Sequence, residues 1–271
     1  MTEQLPDGRF AGFAPVGAAA TVGANRSWWD GQAAAYRRQH AEDLQGRLIW
    51  GPEGLDEAAA RLLGDVRGLD LVEVGAGAAD GTAWLREQGA RVAATDLSIG
   101  MLRQAVVPVP RIQADARELP FRDASFDIAF TAYGALPFVA DPELIHHEVA
   151  RILSPGGRWV FALSHPIRWA FPDDPGEGGL TASRSYFDRT PYLETDRDGT
   201  PAYAEHHRTL GDHVRMVVAA GFTLDDLIEP EWPSDLQRVW GGWSPMRGRL
   251  MPGTAIFSCT RRGGPGESSY A

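Results

Sequence analysis

Residues 70–164 alternate strand patterns with helix patterns, and the first strand runs straight into the glycine-rich turn of "LVEVGAGAADG" at 71–81. Strand patterns fall at 70–75, 91–95, 110–114, 126–132 and 158–164, with helix patterns near 80–88, 98–105 and 141–153 between them. Alternation with short connections predicts a parallel sheet covered by helices on both faces. The helix "TLGDHVRMVVAAG", a strand near 222–229 and a last strand "GTAIFSCTR" follow. In an open sheet of this kind, ligands bind at the carboxyl ends of the strands.

The turn narrows the choice of ligand. Gly75 and Gly77 allow a sharp bend and a close backbone approach at a helix start. A dinucleotide fingerprint needs glycine at its sixth place, which here is Asp80, and no Lys-Ser or Lys-Thr follows to cradle phosphates. Glu73 and Asp80 repel a pyrophosphate and favour a nucleoside that carries ammonium and sulfonium charges.

Ahead of the sheet, "NRSWWDGQAAAYRRQHAEDL" reads as a helix with Ser27 as its N-cap and Trp29, Ala33, Tyr36 and His40 on one face. A second helix is expected over "GLDEAAARLLGDV". Residues 1–25 show no sustained period and are expected to form a flexible leader, as is the tail at 263–271. A single domain over 26–262 is expected, with a helical cap at 26–65 and irregular insertions at 165–207 and 230–252. Long insertions at the ligand edge read as lids.

The motif "EVGAGAADG" resembles the first motif of class I S-adenosylmethionine-dependent methyltransferases, with Ala79 in place of the third glycine. Asp96 in "VAATDLS" and Asp115 in "IQADARELPF" match the acids that follow the second and third strands in that family. "FRDASFDIAFTAYGALPFV" and "EVARILSPGGRWVFAL" resemble its fourth-strand and fifth-strand segments, so the similarity spans about residues 70–164. The opening helix is similar to that of the methyltransferase type 11 group.

The resemblance implies a Rossmann-like α/β fold: a seven-stranded mixed sheet of order 3-2-1-4-5-7-6, last strand antiparallel. It implies S-adenosylmethionine as methyl donor, leaving S-adenosylhomocysteine. Asp96 is expected to hold the ribose hydroxyls. Asp115, with the backbone of Ala116, is expected to meet the adenine amino group, and Glu73 the ligand's ammonium. Gly75, Ala76, Gly77, Leu97, Met101, Ala132 and Tyr36 are expected to complete the cofactor site, with His40 near it.

Methyl transfer to oxygen or carbon removes a proton, and imidazole titrates in a useful range. His165 ends the fifth strand in "FALSHPIRW" and is the first candidate base, followed by His206; Tyr133 is expected beside the transferred methyl. Many aromatic residues of the two insertions are expected to pack these loops onto the sheet, and some to line the pocket of a small-molecule acceptor. No metal is expected, because the histidines of "EHH" point apart on a helix and no third ligand has diagnostic spacing.

Composition agrees. A net charge of −10 disfavours a nucleic-acid partner, and no apolar stretch approaches the length of a membrane span. Cys259 is the only cysteine, so no internal disulfide forms. A cytoplasmic monomer or homodimer is expected. Two rival readings remain at this stage: an NAD-dependent oxidoreductase, which lacks a Tyr-x-x-x-Lys pair here, and a non-catalytic nucleoside-binding protein.

Overall fold

The computed structural model describes residues 3–263. In chain order the strands are β1 Glu3–Gln4, β2 Phe10–Phe13, β3 Asp70–Val74, β4 Arg91–Asp96, β5 Arg111–Gln113, β6 Phe126–Ala132, β7 Leu153–Ser164, β8 Tyr192–Thr195, β9 Pro201–Glu205, β10 Phe222–Ile228 and β11 Thr254–Arg261. The helices are α1 Ala18–Leu44, α2 Glu57–Ala60, α3 Asp80–Glu87, α4 Ile99–Leu102, α5 Pro142–Ile152, α6 Leu210–Ala219 and α7 Pro245–Gly248.

The main sheet runs β10-β11-β7-β6-β3-β4-β5. Strands β3 to β7 pair in parallel, and β11 inserts antiparallel to both β7 and β10. This is the expected seven-stranded order. Alternation along each strand feeds two cores. Trp159, Phe161 and Leu163 of β7 join Val72, Val74, Phe257 and Cys259 under α5 and α6. Val160 and Ala162 instead join Leu71, Ile128, Phe130 and Ile256, against Leu85, Trp50 and Leu63. Burial of both faces is what makes the parallel strands continuously apolar.

Four corrections to the sequence reading concern the outer parts. First, the segment expected as a flexible leader is ordered from residue 3: β1 and β2 join β8 and β9 in a separate antiparallel sheet of order β1-β2-β8-β9. Second, α1 starts at Ala18 behind an N-cap at Gly17, and Ser27 sits inside it. The inner face here carries buried Thr21 and Asn25, so no apolar period marks it. Third, the helix expected over 54–66 stops after Ala60 with Arg61 left-handed. The buried Glu57 carboxylate accepts from the amides of Leu62 and Leu63 and from the Trp50 indole, drawing the chain out of the helix. Fourth, the first insertion contains the β8–β9 hairpin, closed by Asp196, whose side chain accepts from the amides of Asp198 and Thr200.

Asn25 ties the small sheet to the segment that follows β6. Its amide donates to Phe138 O (2.8 Å) and Ala204 O (2.9 Å), and its oxygen accepts from Ala204 N (2.9 Å). Helix α1 thereby lies on β9 and passes across the carboxyl ends of the main sheet. No helix among the described residues is long and apolar enough to cross a membrane. The expected flexible tail lies outside the described residues apart from Gly263.

Candidate active site

Where β3 and β6 end, their following loops touch backbone to backbone. Gly75 has φ +73°, and a Cβ there would sit 2.9 Å from Ala135 N; a Cβ on Gly134 would sit 2.5 Å from Gly75 O. Neither position accepts a side chain. Tyr133 (φ 67°) and Ala135 (φ 52°) are held left-handed beside this contact, the sort of local strain that collects at functional sites.

The cavity these loops enclose is roofed by α1. Every residue expected to hold the cofactor lines it: Tyr36, Glu73, Gly75, Ala76, Gly77, Asp96, Leu97, Met101, Asp115, Ala116 and Ala132. Both carboxylate oxygens of Asp96 accept from backbone, from Gly77 N (2.8 Å) and Ser98 N (2.8 Å), which fixes the carboxylate at the sheet edge. Burial raises its pKa. Asp115 is held by Arg117, which donates to both its oxygens (3.1 and 2.8 Å) and also pairs with Asp141. Burial opposes ionisation of Asp115, yet the guanidinium keeps its pKa below the ordinary value.

Glu73 is buried and accepts from Thr82 N (2.9 Å) and Thr82 Oγ1 (2.5 Å). Burial pushes its pKa up to about 8, with Asp80 and Asp96 adding to the rise. A buried carboxyl poised in this way gains a partner when an ammonium arrives. Asp80 is not bare, as the sequence reading assumed: it is ion-paired to Arg37 of α1.

Sequence reasoning missed what holds α1 down. Asp30 accepts from Ser98 Oγ (2.6 Å) and Gly100 N (2.8 Å), Arg37 pairs with Asp80, and Asp43 pairs with Arg238 of the second insertion (2.6 Å). Asp30 and Arg37 are seven residues apart, the spacing that puts them on one helix face beside Trp29, Tyr36 and His40. That shared periodicity was the available signal. Gly134, in "AYGAL", was missed as well.

The expected catalytic residues separate. Tyr133 lines the cavity and its hydroxyl donates to Gly253 O (3.1 Å), with burial raising its pKa. His165 does not line it: Nδ1 accepts from Ile167 N (3.1 Å) and Nε2 meets Glu229 (2.7 Å), capping the turn that opens the first insertion. His206 meets Thr21 Oγ1 (3.1 Å) and borders a separate shallow groove with Arg189 and Arg208. His40, by contrast, lines the cavity, stacked on Trp240 (4.2 Å, 18°) and beside Tyr36 (4.5 Å).

A doubly covered sheet with this strand order, acids at the ends of three successive strands and a roofed cavity above them, defines a nucleoside-binding α/β protein. Comparison with known proteins gives the family. Residues 72–161 match the family described as a methyltransferase domain. The demethylmenaquinone methyltransferase of Mycobacterium tuberculosis is 39% identical over 196 residues, covering 70% of this chain and 72% of that protein. The enzyme of the same name from Mycolicibacterium paratuberculosis is 38% identical over 105 residues, or 38% of this chain and 45% of that protein. A solved S-adenosylmethionine-dependent methyltransferase from Mesorhizobium loti is 28% identical with a TM-score of 0.61, over 75% of this chain and 96% of that one.

The chain belongs to the class I S-adenosylmethionine-dependent methyltransferases, with S-adenosylmethionine as its methyl donor. The dinucleotide reading falls with this assignment. The residues present fit the cofactor: Asp96 and Asp115 would offer acceptors to the nucleoside, and Glu73 would offer a carboxylate to the ammonium.

Proposed function

We propose that this methyltransferase acts on a small, planar, largely apolar acceptor with an ionisable ring hydroxyl. The observation that carries the reading is the aromatic face of α1, where Trp29, Tyr36 and His40 border the cavity that also holds the cofactor residues. Flat aromatic side chains favour a flat partner, and a water-excluding wall suits an apolar one. The mycobacterial relatives, named for demethylmenaquinone, support a ring acceptor.

The cofactor supplies a methyl group already activated on a sulfonium, so the protein's work is alignment and exclusion of water. Tyr133 forms the cavity wall at the end of β6. His40 takes the acceptor's proton. Burial holds its pKa below the ordinary value, against the pull of Asp43, so the ring is neutral and able to accept a proton at pH 7. His165 instead caps the turn that opens the first insertion, with both ring nitrogens engaged, and His206 meets Thr21 of α1 outside the cavity.

Methyl-labelled cofactor, incubated with a panel of ring-hydroxylated acceptors including a naphthoquinol unsubstituted beside its hydroxyl, tests this. Label transfer is expected, and His40→Ala should slow it on the order of 10²-fold while leaving S-adenosylhomocysteine binding intact. His165→Ala should not reproduce that loss. Absence of transfer to every ring hydroxyl, or an undiminished rate in His40→Ala, defeats the reading.

A further inference from the structure

The geometry points to Arg37 as the group that receives the carboxylate of the cofactor's amino-acid end, so that α1 reads the ligand's zwitterion rather than only its nucleoside. This rests on the methyl-donor assignment above. Arg37 lines the cavity with its side chain 12% exposed. Its Nη1 pairs with Asp80, while Nη2 is buried with no hydrogen-bond partner among the described residues.

A guanidinium presents its donors in a fixed fork, and one arm buried without an acceptor is an incomplete recognition element. The other cation on the cavity wall, Arg47, is half-exposed and committed to Asp56 (2.8 Å). Arg37 is also where an anion is otherwise favoured, because Asp80, its partner, opens α3 and the helix start carries positive partial charge. Glu73, across the turn, supplies the opposite charge for the ammonium, so the two ends of the amino-acid group meet opposite partners.

Calorimetric titration with two ligands that differ only by the carboxylate separates recognition from mere latching. S-adenosylhomocysteine and its decarboxylated form share nucleoside, thioether and amine. In the wild type the carboxylate should strengthen binding about 10-fold or more, as expected for charge-assisted hydrogen bonds. In Arg37→Met that advantage should fall to within about twofold, with the decarboxylated ligand scarcely affected, because only the carboxylate meets the guanidinium. Arg37→Lys, which keeps the charge and the pairing with Asp80, should retain part of the advantage, since a point charge lacks the fork.

Equal weakening of both ligands in Arg37→Met, or a carboxylate advantage that survives in it, overturns the assignment. If Arg37→Met does not fold, a carboxylate advantage in Arg37→Lys equal to the wild type's overturns it as well. Failure of the wild type to bind either ligand would instead defeat the methyl-donor assignment.

Discussion

The central sheet and the cap over its edge are built by opposite means. Between β3 and β7 the sheet buries Leu71, Val72, Ile128, Phe130, Val160 and Phe161 almost completely, so its order comes from apolar area removed from water. The cap is held by polar contacts: the Asn25 clamp, Asp30 on Ser98 and Gly100, and the Arg37–Asp80 and Asp43–Arg238 pairs. Apolar burial gives a rigid platform for the acids at the strand ends. Directional bonds at a few named points give a roof whose opening would cost those bonds rather than a continuous apolar core.

The sharpest way to break this contrast is at the platform. Gly75→Ala places a methyl 2.9 Å from Ala135 N at a φ of +73°, so both the strand-end contact and the backbone shape fail. We expect a loss of stability of about 2–4 kcal/mol and no measurable S-adenosylhomocysteine binding, checked by thermal unfolding and calorimetry. A variant that binds normally would mean the two loops can separate without consequence.

At the cap, Asn25→Ala removes three hydrogen bonds, two of them buried. Amide exchange in α1 and β9 should become faster by an amount equivalent to about 1–3 kcal/mol, with β6 and β7 retaining their protection. Uniform acceleration across the molecule would show that cap and sheet open as one unit.

The smallest effect sharpens the electrostatics at the junction of the two. Glu73 has a folded-state pKa of about 8, above its unfolded value, so its contribution to stability is present at low pH and is lost as pH rises through about 8. A ligand ammonium favours the ionised carboxyl. Binding at pH 7 should therefore release a proton, and affinity should rise by up to about tenfold between pH 6.5 and 8. Titrations in buffers of different ionisation enthalpy measure the release, and Glu73→Gln should abolish it.

Legibility in the sequence followed the same division. The sheet was readable because alternation along β3 to β7 is apolar on both faces, and Glu73, Asp96 and Asp115 stand where strands end. The start of the cap helix was not, because its first turns bury Thr21 and Asn25 and show no apolar period, whereas Trp29, Ala33, Tyr36 and His40 marked the rest. The shortened α2 was hidden for a related reason: Glu57 reads as a surface residue and is in fact a buried acceptor for two amides and an indole. The β8–β9 hairpin had a local signal in "DRDGT", but its strands lie within a segment whose aromatic residues read as lid. His165 looked catalytic from its place after β7, and only its two ring contacts reveal a capping role.

The fastenings of α1 are unevenly distributed along its length. Near one end, Asn25 grips main-chain groups on two separate segments; further on, Arg37 and Asp43 rely on single ionic contacts. Such fastenings would let the helix swing as a gate hung at Asn25 and clasped at Arg37. A ligand leaving the cavity would then be uncovered first on the Arg37 side and last beneath Asn25.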